Sequence, residues 1–91
     1  MIDSIQQSKL KIINSEEGSV LHFIKKSDLG FKEFGEVYFS TVDKESIKAW
    51  KLHKRMTLNL VVPVGRVMFH FIDARPNSTN YNNIKTIVLS Q

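Results

Sequence analysis

The stretch SIKAWKLHKRMTLNLVVPVGRVMFHFIDAR, residues 46–75, decides the predicted fold. Basic and apolar residues alternate around His53, and an apolar run follows. Alternation with a period of two is typical of a strand with one buried face, and a short apolar run is typical of a strand buried on both faces. Pro63 and Gly65 predict a tight turn before the last apolar run. The stretch therefore predicts three strands, over residues 46–53, 57–62 and 67–72.

The same kind of sequence continues on both sides of this stretch. Segments rich in β-branched and aromatic residues predict further strands, over residues 34–41, 84–89, 9–13 and 20–24. The polar segments 43–45 and 75–83 predict turns. Many short strands at fairly even spacing predict an all-β sandwich or barrel. The sequence stops directly after its last predicted strand, so we expect an open sheet edge that pairs with a second copy.

Length and composition narrow the possible functions. The 91 residues predict a single domain, 1–91, with a small core. The chain has no cysteine, which excludes disulfides and thiolate metal sites, and its three scattered histidines argue against structural zinc. Oligomerisation is then the expected source of additional burial. The formal net charge of +4 favours an anionic partner. Because the sequence has no long apolar run and no signal peptide, we expect a cytoplasmic protein that does not bind membranes.

Four short motifs occur in an order that a known family shares. They are KAWKLH (48–53), VG (64–65), DARPNS (73–78) and LS (89–90). With these motifs, residues 34–90 resemble the dTDP-4-dehydrorhamnose 3,5-epimerase family and its dTDP-sugar ketoisomerase relatives. The resemblance implies a cupin-like jelly-roll barrel, of which this chain is the N-terminal portion and which oligomerisation completes. It also implies core strands over 34–91 and N-terminal strands over 1–33 that exchange between the subunits of a homodimer.

The resemblance also implies an activity. The family is a group of isomerases that act on a dTDP-linked 4-keto-6-deoxyhexose in deoxysugar and surface polysaccharide biosynthesis. A base removes a proton next to the keto group, and cations stabilise the enolate and hold the diphosphate. The family's catalytic histidine aligns with Lys51, and His53 lies two positions further on, on the same face of the predicted strand. Either residue is a candidate base, and we expect no metal and no cofactor.

Further residues are candidates for contacts to this sugar nucleotide. Lys48 and Arg55 would bind phosphate. Trp50 and Tyr38 would stack on a base or a sugar, and the alternative for both is a place in the core or in an interface. Asn59 interrupts an apolar run, so its amide either ties down the fold or faces the ligand.

Other residues are expected to be structural. Gly65 belongs to the predicted turn, and Asp73 with Arg75 is expected to form an ion pair that fixes the loop after the strand. His70 lacks histidine and glutamate partners at the spacing of a metal site, so we predict no metal there.

Alternatives to an active enzyme stay open. The family's general-acid tyrosine and the aspartate partner of its base lie beyond the last residue, which fits a catalytically silent truncated homologue or a dimeric binding module. A basic barrel that binds nucleic acid through Phe69, His70 and Phe71 is less favoured, because the companion aromatic strand of cold-shock domains is absent.

Overall fold

The computed structural model describes residues 4–91 and contains four β-strands and no helix within them. The strands are β1 (Ile12–Ile13), β2 (Val20–Leu21), β3 (Arg66–Ile72) and β4 (Ile84–Ser90). They form two separate antiparallel sheets, β1 with β2 and β3 with β4. Neither sheet closes on itself, so the predicted cupin-like jelly-roll barrel is wrong. None of the described residues belongs to a helix that could cross a lipid bilayer.

The two long strands, β3 and β4, form a hairpin whose two faces differ in burial. Phe69 pairs with Ile87, and Val67 pairs with Leu89. Since side chains alternate across a strand, these four apolar residues share one face. Ile87 is its most buried member, with 8% exposure. The hairpin confirms the strands predicted over 67–72 and 84–89 to within one residue at each end.

The loop between β3 and β4 is closed by backbone hydrogen bonds. The N–H of Asp73 donates to the carbonyl of Asn83 at 3.2 Å, and the N–H of Asn82 donates to the carbonyl of Asp73 at 2.8 Å. Asn82 has a φ of +63°, in the left-handed region that asparagine adopts more readily than most residues. The polar segment predicted as a turn is therefore an ordered continuation of the hairpin.

The β1–β2 pair is a second, much shorter hairpin, with Ile12 opposite Leu21. Its turn contains Gly18 with a φ of +134°, a conformation that is open to glycine and strained for other residues. Both strands are shorter than the predicted ranges. Every residue in them is exposed, so burial adds little to the stability of the ladder.

The chain divides into two compact units. One consists of the segment that ends at Phe23 together with Val61–Gln91, and the other is Ile24–Leu60. No residue from 24 to 62 belongs to a strand, so the strands predicted over 34–41, 46–53 and 57–62 are wrong. A strand-like sequence forms a strand only where it finds a hydrogen-bonding partner and a surface to pack on. The barrel cannot close because the strands that would complete it are missing.

Candidate functional site

A tight turn lies at the centre of the region that holds most of the candidate residues. The backbone N–H of Ser46 donates to the carbonyl of Asp43 at 3.0 Å. Glu45, inside the turn, has a φ of +65°. The turn predicted over 43–45 is therefore present, although no strand flanks it.

Two lysine side chains connect the segments on either side of this turn. Lys48 Nζ donates to Ser40 Oγ at 2.7 Å and to the carbonyl of Thr41 at 3.0 Å. Lys51 Nζ lies 5.9 Å from the centroid of the Tyr38 ring, within the range of a cation–π interaction. These contacts join residues at matching distances from the turn, as in a hairpin, but through side chains in place of a backbone ladder. We call residues 38–55 the cationic loop.

The charges of the cationic loop are unbalanced. It contains two carboxylates, Asp43 and Glu45, and five exposed cations, Lys44, Lys48, Lys51, Lys54 and Arg55. Within residues 4–91, the ion pair of Arg75 with Asp73 is the one salt bridge, so the cations of the loop have no carboxylate partner there. Because these cations are exposed and lack a carboxylate partner there, they are accessible to an anionic ligand.

The two candidate bases lie in this loop but are not linked to each other. The ring Nδ1 of His53 lies 3.1 Å from Met56 Sδ, a weak hydrogen-bond acceptor. No hydrogen bond between His53 and Lys51 is found among the described residues. The shared strand face that the sequence predicted for the two side chains does not exist, because residues 46–53 do not form a strand.

The aromatic candidates are exposed rather than part of a core. Trp50 is 66% exposed and Tyr38 is 61% exposed. Phe39, next to Tyr38, is 93% exposed and was not among the predicted site residues. The signal that could have found it is its place beside Tyr38 in the aromatic-rich segment 34–41. The loop thus has three exposed aromatic rings, and that of Tyr38 lies beside the Lys51 ammonium.

Asn59 has a local structural contact within the same unit. Its Nδ2 donates to the carbonyl of Gly30 at 3.0 Å. A Cβ on Gly30 would lie 2.8 Å from Asn59 Oδ1, so the glycine leaves room for the amide. Of the two alternatives for this amide, the geometry favours tying down the chain. Arg55 is exposed and makes no hydrogen bond or ion pair within residues 4–91.

Asp73 and Arg75 lie in the other unit and form the centre of a polar network. The Asp73 carboxylate, 2% exposed, accepts hydrogen bonds from Arg75 Nε at 2.8 Å, Arg75 Nη2 at 2.7 Å and Ser78 Oγ at 2.7 Å. The bonds from Arg75, and then that from Ser78, hold the pKa of Asp73 well below its ordinary value. The same pairing raises the pKa of Arg75. The motif DARPNS therefore holds its own loop together, and Ser78, which was not among the predicted site residues, donates one of the three side-chain hydrogen bonds to the Asp73 carboxylate.

The remaining candidates have simple positions. Gly65 has a φ of +86° in the bend that leads into β3. His70 pairs across the hairpin, with Nδ1 2.9 Å from Thr86 Oγ1. The part of the chain that the structure describes contains no cluster of three or more metal-ligating side chains.

No protein-family model matches the chain, and neither a curated protein nor a solved structure is significantly similar to it. The functional proposals below therefore rest on the residues and their geometry, together with the sequence motifs described above.

Proposed function

We propose that the protein is a sugar-nucleotide epimerase- or ketoisomerase-like isomerase that acts on a dTDP-linked 4-keto-6-deoxyhexose in the cytoplasm, as a step of deoxysugar and polysaccharide biosynthesis. The observation that carries the proposal is the set of exposed cations around His53 that lack carboxylate partners within residues 4–91. Such a set suits a substrate with a diphosphate and a reaction that develops an enolate. The choice of a dTDP-linked sugar as the substrate comes from the family resemblance of the four sequence motifs.

In this proposal, some residues of the cationic loop bind the substrate and others transfer the proton. An imidazole is well suited to accept a proton near neutral pH, and His53 has one ring nitrogen, Nε2, outside its contact with Met56. Lys51 is the alternative base, and its Nζ lies 5.9 Å from the centroid of the Tyr38 ring. Lys48 and Arg55 would bind the diphosphate, and Trp50 would stack on the thymine or the sugar.

The test is proton NMR of dTDP-4-keto-6-deoxyglucose in D₂O with the purified protein. We expect protein-dependent loss of the C3 or C5 proton signal as solvent deuterium replaces it, and the carbon affected separates the ketoisomerase from the 3,5-epimerase. The loss should be slower with His53→Ala or with Lys51→Ala, and unchanged with the matched substitutions His22→Ala and Lys26→Ala, which lie outside the cationic loop. No exchange from folded protein would contradict the isomerase proposal, and full activity in both loop variants would remove the two assignments.

A catalytically silent, self-associating binding module is the second candidate. The observation that favours it is the amount of apolar surface that Ile24–Leu60 exposes, with Leu29, Phe34 and Ile47 all largely in solvent. Single exposed apolar residues are ordinary, whereas a contiguous apolar patch is typical of an interaction surface, and this candidate requires that these side chains form one. Sedimentation velocity over a range of concentrations tests this candidate: dimers would support it, and a monomer at all concentrations would contradict it.

A further inference from the structure

We propose that the cationic loop, residues 38–55, binds single-stranded nucleic acid. This inference does not depend on the isomerase proposal. It rests on two properties of the loop: an excess of cations and exposed aromatic rings.

The cations of the loop follow one another at short intervals. Lys48, Lys51 and Lys54 are three residues apart, and Arg55 adds a further charge beside the last of them. Several cations that follow one another along the chain suit a phosphate backbone, which presents its negative charges in a row.

The aromatic rings lie among these cations. Trp50 stands between Lys48 and Lys51 in the sequence, and Tyr38 lies beside the Lys51 ammonium across the turn. Exposed rings next to cations are the combination with which proteins bind single strands, because bases stack on the rings while phosphates meet the charges. The Lys48 bonds to Ser40 and Thr41 hold the two segments together, so the rings are presented by one local structure.

The aromatic rings also distinguish the partner from other polyanions. In a duplex the base faces are stacked inside and are not accessible to Trp50 or Tyr38, whereas a single strand can present them. An acidic polysaccharide offers charge without bases. The loop therefore fits a single strand better than either.

The fluorescence of Trp50 provides a direct experiment, since the chain has one tryptophan. The full-length protein is titrated with a thymidine oligonucleotide, a duplex of the same length, heparin and dTDP, each at several salt concentrations. We expect the single strand to bind most tightly and to quench the Trp50 emission. If it contacts four loop cations, the logarithm of its binding constant should fall against the logarithm of salt with a slope of about −3.

Two variants and a matched control locate the binding. In anisotropy measurements with a labelled oligonucleotide, Trp50→Ala should weaken binding at least about tenfold with little change in the salt slope. Lys54→Gln/Arg55→Gln should reduce the slope by about 1.4. Lys25→Gln/Lys26→Gln removes the same number of charges from an exposed pair outside the loop, and should change the slope by less than half as much.

Four results would overturn the inference. They are equal effects of the two charge variants, equal binding of heparin or of the duplex, oligonucleotide binding that leaves the Trp50 emission unchanged, and binding of dTDP without binding of the oligonucleotide. The last result would support the sugar-nucleotide proposal, so the two can fail separately.

Discussion

The β3–β4 hairpin and the segment of residues 34–60 have similar strand-like sequences and different structures. In the hairpin, Phe69 and Ile87 face each other across a ladder, and the connecting loop is tied to Asp73. In 34–60, no residue belongs to a strand, and Phe39 and Ile47 are almost fully exposed. The difference shows that β-branched and aromatic residues create the potential for a strand, while a partner and a closing turn determine whether the strand forms.

The two regions also differ in what their polar residues do. In the hairpin, Asp73, Arg75 and Ser78 satisfy one another and close a loop. In the cationic loop, Lys48 and Lys51 reach across a turn but leave most of the charge unpaired within the described residues. The polar groups of the hairpin bond to one another and stabilise its loop. The cations of the cationic loop lack a carboxylate partner within the described residues.

The largest effect is expected when the buried isoleucine of the hairpin is truncated, with an exposed isoleucine of the other region as the control. Ile87→Ala removes the most buried apolar side chain of the hairpin and should lower the free energy of unfolding by about 2–4 kcal/mol. Ile47→Ala, at a side chain that is 91% exposed, should change it by less than about 0.5 kcal/mol. Urea unfolding followed by circular dichroism measures both. Equal destabilisation by the two variants would show that residue 47 is buried in solution and would contradict the difference in burial between the two regions.

The next effect concerns the Asp73 network. Asp73→Asn should lower the melting temperature at pH 7, because Arg75 and Ser78 lose a carboxylate acceptor. The exposed Asp43, whose side chain has no hydrogen bond among the described residues, provides the control Asp43→Asn, which should melt like the unsubstituted protein.

This network also predicts the pH dependence of stability. The folded pKa of Asp73 lies below its ordinary value of 3.8, so the carboxylate contributes its full stability above that value. The contribution is lost as the pH falls through the folded pKa. The difference in melting temperature between the Asp73→Asn variant and the unsubstituted protein should therefore stay constant from pH 7 to pH 5 and shrink only in stronger acid. A difference that disappears between pH 7 and pH 5 would contradict the lowered pKa.

The smallest effect is expected at Gly30. Gly30→Ala places a Cβ 2.8 Å from Asn59 Oδ1, so the amide must move and its hydrogen bond to the Gly30 carbonyl is lost, at a cost of about 1 kcal/mol. Gly35→Ala meets no atom within 4 Å and is the matched control. Protease susceptibility of the segment 24–60 is a suitable measurement, and it should rise for Gly30→Ala and not for Gly35→Ala. Identical behaviour would mean that the Asn59 contact does not hold this unit together.

The sequence predicted those parts of the fold whose partners lie close in the chain. Alternation identified β3 and β4, and polar residues identified the loop between them, because a hairpin needs only its own two strands and their turn. The strands predicted over 34–62 needed a longer-range partner, and the alternation in a sequence carries no information on whether such a partner exists. The barrel inferred from the resemblance depended on those strands and was wrong for the same reason.

The candidate site was predictable in its residue types but not in its geometry. The cations around His53, and Trp50 among them, are visible in the sequence. The contacts of Lys48 with Ser40 and of Lys51 with Tyr38 are not, because they depend on a turn whose flanks form no ladder. Lys51 and His53 were expected on one face of a strand over residues 46–53, and that strand does not form.

The most direct test of the account is amide hydrogen exchange, followed by NMR at a concentration at which the protein is monomeric. We expect the hydrogen-bonded amides of β3 and β4 to be the most protected, and the amides of residues 34–60, other than that of Ser46, to exchange at close to the rates of unstructured peptides. Protection over 34–41, 46–53 and 57–62 equal to that of β3 and β4 would show that these residues form strands in the isolated chain, and would contradict the contrast on which the account rests.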